Sequence, residues 1–290
     1  MFHGAFSALV TPFRDGAIDE KALRELVEWQ IQSGIDGLVP CGSTGESATL
    51  SHAEHEQVIK VVIDQTRRRV PVVAGTGSNS TAEAIRLTTY ARAAGADGAL
   101  LISPYYNKPT QDGIYRHYKA IASAVDLPLI VYNIPGRTGS NIAPETFARM
   151  CDIRNVIGIK EASGSMEQCS DILKLCGERL TMLSGDDSLT LPLMAMGAKG
   201  VIAVITNIMP REMHELAAAG LEGDFARARD LHFRMLPLMR ALFVETNPIP
   251  IKQACALMGR CANEVRMPLV PMTPPAAEKL RAAMKTAGLI

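Results

Sequence analysis

The chain has 290 residues, 30 basic and 30 acidic side chains, and 47% hydrophobic residues. Zero net charge argues against electrostatic nucleic-acid binding, and no apolar run reaches the roughly 18 residues of a membrane span. The six cysteines form no C-x-x-C pair and no zinc-finger spacing with histidine, so they read as reduced residues and imply no metal. The amino-terminal "MFHGAFSALVTPF" lacks the basic-then-apolar order of a secretory signal, and a reducing cytoplasm is the expected location.

Three segments share one grammar: "QSGIDGLVPCG", "AAGADGALLISPYY" and "AMGAKGVIAVITN". Each has a glycine suited to ending a helix in the left-handed region, then a short turn and an apolar run of strand length. With these junctions as a key, eight strands are predicted. They are Gly4–Thr11, Gly37–Cys41, Val70–Gly75, Gly98–Ser103, Leu129–Asn133, Val156–Lys160, Thr181–Ser184 and Gly200–Val204. Helical patterns lie between them. Leu23, Leu26, Val27, Gln30 and Ile31 form one stripe, and "SHAE" opens the next helix as a capping box. Eight strands alternating with helices predict an α/β fold, a closed (β/α)8 TIM barrel, rather than an open doubly wound sheet. The expected barrel covers residues 1–222. A helical C-terminal extension, residues 223–290, packs on it without a linker.

Active sites in such barrels stand at the C-terminal ends of the strands. Lys160 ends the apolar "NVIGIK" strand. With period two, Val156, Gly158 and Lys160 share a face. If that face points inward, Gly158 leaves room for the lysine stem, and burial would lower the amine's pKa and make it a Schiff-base nucleophile. The plainer reading pairs Lys160 with Glu161 or lets it reach solvent. Tyr132, ending the neighbouring strand, could exchange protons with such a site, or simply pack at the rim. "GSTG" places Ser43 and Thr44 on a turn whose N–H groups can cradle a carboxylate, or it is an ordinary loop. Arg137, in "PGRTG", is a bidentate carboxylate partner or a solvated loop arginine. Asp186 and Asp187 read as a capped turn, because two adjacent acids alone do not hold magnesium.

Together, "GSTGESATL", "PYYNKPT", "YNIPGRTG", "IGIKEASG" and "NPIP" resemble the dihydrodipicolinate synthase / N-acetylneuraminate lyase family of pyruvate-dependent class I aldolases, over nearly the whole length and in the family's order. The resemblance implies that Lys160 forms the Schiff base with pyruvate and that Tyr132 moves protons beside it. It implies that Thr44 links Tyr132 to Tyr106, which comes from a neighbouring subunit, and that Ser43 keeps a hydroxyl where many members have threonine. Arg137 would hold the carboxylate of the second substrate, with Gly185 and Ile202 lining the site. Cys41, before "GSTG", is read as a strand residue without a role. The implied reaction condenses pyruvate with L-aspartate 4-semialdehyde, without cofactor or metal, on the route to lysine. The rival within the family is an aldolase for sialic or keto-deoxy sugar acids, against which the "GRTG" arginine speaks. A keto-acid sensor is the distant rival, and it would need no proton relay. The same resemblance implies a homotetramer built as a dimer of dimers. It also implies an allosteric L-lysine site at Ser47, Ala48, His52, His55, Asn79, Glu83 and Tyr105. By spacing alone, His52 and His55 fall on one face of their helix, which reads as a solvated surface.

Overall fold

The protein, described here from a computed structural model covering residues 2–290, is built on eight parallel strands. They are β1 Gly4–Ala8, β2 Gly37–Val39, β3 Val73–Gly75, β4 Gly98–Ile102, β5 Leu129–Asn133, β6 Val156–Glu161, β7 Thr181–Ser184 and β8 Gly200–Ala203. Each pairs with its sequence neighbour, and β8 pairs with β1. Between β2 and β3 the ladder narrows to a bridge from Leu38 to Val72, helped by Gly75 N–H donating to Pro40 O at 2.9 Å. The sheet is a nearly closed barrel. The predicted strands are all present, and β5 and β7 have the predicted ends. Cys41 lies beyond β2, not in it. Its φ of 57° is left-handed, and its Sγ approaches His55 O at 3.6 Å. The chain must turn there to begin the "GSTG" loop, so the strand cannot extend to it. A short hairpin, Phe13–Arg14 with Ala17–Ile18, was not foreseen.

Alternation sorts the strand residues. Phe6, Ala8, Val39, Val73, Leu100, Ile130, Tyr132, Leu183 and Ile202 form the inner cluster. The intervening residues, such as Leu38, Leu101, Val131, Ile159 and Val201, join the larger core under the helices. Between successive strands lie α1 Glu20–Gln32, α2 His52–Thr66, α3 Thr81–Ala94, α4 Gln111–Ala124, α5 Pro144–Met150, α6 Met166–Cys176 and α7 Thr190–Ala195, and α8 Pro210–Glu222 follows β8. The glycines of the three shared junctions are left-handed: Gly34 at φ 90°, Gly95 at 96° and Gly197 at 114°. Only glycine adopts such values without strain, so each stops its helix and turns the chain into the next strand.

Ser51 and Glu54 make the predicted capping box on α2. On α3 the cap is Ser80, and the Glu83 side chain turns away from it toward Ser78 and His52. In α1 the predicted stripe is buried at Leu23, Leu26, Val27 and Gln30, and Gln30 Nε2 donates to Thr206 O at 2.7 Å, satisfying its buried amide N–H. Three more helices, α9 Phe225–Ala241, α10 Ile249–Leu257 and α11 Pro274–Thr286, follow Gly223 and pack on the barrel and on one another. Among the described residues, no helix is long and apolar enough to cross a membrane.

Candidate active site

Lys160 is the last inward-facing residue of β6 and is only 6% exposed. Its neighbour across the ladder is Tyr132 of β5, also buried. The amine stands 4.3 Å from the centroid of the Tyr132 ring. Glu161 points to the other face, as strand alternation requires, and accepts from Ser163 N at 2.7 Å and from Asn133 Nδ2 at 3.1 Å. It therefore does not pair with Lys160. Gly158 faces inward as expected, but a side chain there would meet Thr181 O and Ile130 rather than the lysine. The glycine that makes room for the lysine is Gly185, where a Cβ would come within 3.2 Å of Lys160 Cε and 2.6 Å of Ala162 Cβ.

Burial pulls the Lys160 amine down to about 8 from its ordinary 10.5, with Arg137 pushing the same way. The charges of Asp187 and Asp186 oppose this and are outweighed. Tyr132 is pushed up by burial, so its phenol keeps its proton. Asp187 is not the helix cap that the sequence suggested. It is buried, pushed up to about 6 by that burial, and accepts the N–H groups of Val204 at 2.9 Å and Ile205 at 2.7 Å. It fastens the end of β8 to the turn after β7, because those two N–H groups leave the strand ladder there and need acceptors.

Above the strand ends lies a cavity of about 430 Å³, a size suited to small metabolites. Ser43, Tyr132 and Arg137 line it. Thr44 and Lys160 each touch a wall residue: Thr44 Oγ1 accepts from Asn247 Nδ2 at 3.1 Å, and the Lys160 amine stands 4.3 Å from the centroid of the Tyr132 ring. In the "GSTG" turn, the N–H groups of Gly45 and Ser47 donate to Gly42 O and that of Glu46 to Ser43 O. Among the described residues, no acceptor takes the N–H groups of Ser43 and Thr44, so a carboxylate can. Arg137 sits on the single helical turn Pro135–Thr138 after β5 and donates from Nη2 to Asn247 O at 2.8 Å.

The Dihydrodipicolinate synthetase family model matches residues 1–287. The chain belongs to that family. The 4-hydroxy-tetrahydrodipicolinate synthase of Syntrophus aciditrophicus is 58% identical over all 290 residues, covering 100% of both chains. A chloride-inhibited dihydrodipicolinate synthase from Acinetobacter baumannii, solved with pyruvate, superposes with a TM-score of 0.99 at 46% identity over 100% of both chains. The enzyme from Cyanidioschyzon merolae, solved with lysine bound, gives 0.97 at 40% identity, over 100% of this chain and 99% of that one.

Within this dihydrodipicolinate synthetase fold, the second predicted cluster opens into the same cavity. Ser47, Ala48, His52, His55, Glu83 and Tyr105 all line it. Asn79 does not, but its Nδ2 donates to Tyr105 O at 3.1 Å. His52 and His55 do not share a solvated face: His52 is open to solvent with Nε2 2.6 Å from Glu83 Oε1, whereas His55 is buried and pulled down to about 4. Ile202 lies in the inner cluster beneath the site. Tyr106 is not brought into its own chain's cavity. It is 88% exposed and held at a left-handed φ of 71°, with its N–H on Thr138 O.

Sequence reading missed Asn247, Asp187, Glu46 and Lys252. "NPIP" marked the first only as part of a resemblance, and "GDD" offered two acids without showing which was buried. Nothing in the order of residues joins Glu46 to a lysine 206 positions away.

Proposed function

We propose that this chain condenses pyruvate with L-aspartate 4-semialdehyde, through an imine on Lys160, to give 4-hydroxy-tetrahydrodipicolinate, in the route to lysine through diaminopimelate. The observation that carries the reading is the desolvated lysine beside a protonated tyrosine, under a cavity with an arginine in its wall. With its pKa near 8, about a tenth of the amine is free at pH 7, several hundred times the fraction of an ordinary lysine. The neutral amine attacks the ketone of pyruvate, whose carboxylate rests on the free N–H groups of Ser43 and Thr44. Tyr132 donates the proton that lets water leave the carbinolamine. The iminium loses a methyl proton to give an enamine, and the enamine carbon adds to the aldehyde. Arg137 holds that substrate's carboxylate. The semialdehyde's amino group, after losing a proton, then displaces Lys160, closing the ring; water and one proton are the other products.

Thr44 serves as the relay hydroxyl. Because it accepts from Asn247 Nδ2, its own proton is free for a phenol oxygen. Tyr106, exposed and outside its own chain's cavity wall, supplies the far end of the relay in a neighbouring subunit. We assign the chain to a homotetramer built as a dimer of dimers on this ground and on family resemblance. The cluster from Ser47 to Tyr105, with Asn79, is read as an L-lysine effector site, supported by the lysine-bound relative and by its place in the same cavity wall. The biosynthetic role places the protein in the cytoplasm.

Borohydride reduction in the presence of pyruvate, followed by peptide mapping, tests the assignment. An adduct anywhere but Lys160 would remove it. Assays with the semialdehyde and with a panel of sugar aldehydes distinguish substrates, and turnover with the sugars alone would move the chain to the lyase branch.

A further inference from the structure

The "GSTG" turn continues into Glu46, and this residue is unusual in two ways. Its backbone is left-handed at φ 55°, ψ 36°, which residues with a side chain rarely adopt. Its carboxylate is buried and meets the amine of Lys252, with Nζ 2.6 Å from Oε1 and both side chains fully inaccessible. The remaining groups are well satisfied. Lys252 Nζ also donates to Glu264 O at 2.6 Å and stands 3.9 Å from the centroid of the Phe13 ring. Glu46 Oε2 accepts the N–H of Arg266 at 3.0 Å, and the Arg266 guanidinium lies 4.2 Å from the same ring.

Lys252 belongs to α10, in the C-terminal extension. The residues that open this helix contact the site as well: Asn247 reaches Thr44 through its side chain and Arg137 through its carbonyl. One six-residue stretch, 247–252, therefore grips Thr44, Glu46 and Arg137 together. A buried ion pair is a poor way to gain stability, because desolvation offsets the attraction, but it fixes geometry, since neither charge tolerates losing the other. Here it holds a strained residue two positions after Thr44. Thr11 Oγ1, on Gly45 O at 2.7 Å, holds the residue between them.

We propose that Glu46 and Lys252 are positioning residues for the reaction: the pair locks the left-handed turn that aims the Thr44 hydroxyl, and through it the extension sets the proton relay. This rests on the reading of Thr44 as a relay hydroxyl. Lys160 lies on another strand and is not held by the pair, so the amine still reaches pyruvate and the imine still forms, more slowly, because its dehydration uses the same relay. Turnover, which needs the relay at every proton transfer, falls with it.

The test uses the full chain as its native assembly and compares wild type, Glu46→Gln, and the double variant Glu46→Gln/Lys252→Met. The double variant replaces the pair by neutral groups of similar volume, which commonly leaves stability little changed. Its Tm should lie within about 3 °C of wild type. Its kcat should fall by at least about tenfold, at the low end of what acid–base groups contribute. KM for pyruvate should stay within about threefold, and borohydride should still trap pyruvate on Lys160. Glu46→Gln should lose both Tm and kcat. A kcat within about twofold of wild type in either folded variant overturns the proposal. So does failure of both variants to fold, which would make the pair purely structural. Wild type that neither traps pyruvate nor turns over would instead remove the functional reading, and this inference with it.

Discussion

Tyr132 and Lys160 are register partners on adjacent parallel strands, and the amine stands 4.3 Å from the centre of the phenol ring. Burial acts on both in opposite senses. It lowers the pKa of the lysine and raises that of the tyrosine, because in each case it disfavours the charged form. The pair thus holds a partly neutral amine and a protonated phenol side by side near neutral pH.

Lys160→Ala should abolish imine trapping with pyruvate while leaving the fold intact, since no backbone hydrogen bond is lost. In wild type, the rate of imine formation should rise with pH up to about 8, the value to which the amine is pulled. Below it, the rate should fall about tenfold per pH unit. A flat profile between pH 6 and 8 would mean that the amine is not the titrating group.

Tyr132→Phe keeps the ring against Lys160 and removes the proton. A loss of about 100-fold or more in kcat is expected, with little change in Tm. An unchanged kcat would assign the proton to another group.

Arg137→Ala should weaken use of the semialdehyde by about 1.5–3 kcal/mol, measured in kcat/KM, the usual worth of a charge-assisted contact. Imine formation with pyruvate should survive. Because the Arg137 charge helps to lower the Lys160 pKa, the pH profile of imine formation should also move upward. A collapse of pyruvate binding would show that the arginine holds the other substrate.

L-Lysine should inhibit the wild-type enzyme at millimolar levels. Glu83→Thr should raise the half-inhibiting concentration by about tenfold or more, through loss of a charged partner for the ligand's ammonium. In the free protein Glu83 already bonds Ser78 and His52, which hold its carboxyl below the usual range, so it is ionised and ready. Titration with no effect on wild type would retire the effector site and leave the aldolase reading standing.

His55 and His117 are both buried and pulled down to about 4 from 6.5. A folded value below the unfolded one gives stability that is complete above pH 6.5 and lost as pH falls toward 4. Tm should decline across that window. His117→Gln, which removes one of the two groups, should flatten the decline. An equal slope in the variant would place the titration elsewhere.

The sequence by itself determined the barrel. Period-two runs, capped helices and left-handed glycines at three like junctions are local signals, and eight of them in order leave few topologies. It also singled out Lys160 and Tyr132, because a polar residue ending an apolar strand is conspicuous, and Arg137 on the glycine-flanked segment just past the end of the Tyr132 strand. Only the tertiary structure decided which neighbours those residues have. It separated Lys160 from Glu161 by strand alternation, and it gave Gly185, not Gly158, the space beside the lysine. It turned Asp187 from a cap into the anchor of β8. It joined Glu46 to Lys252 and Asn247 to Thr44, and it set two predicted clusters on one cavity. These are contacts between segments far apart in the chain. Their distances depend on how helices and strands pack, and packing leaves no periodic trace in the order of residues.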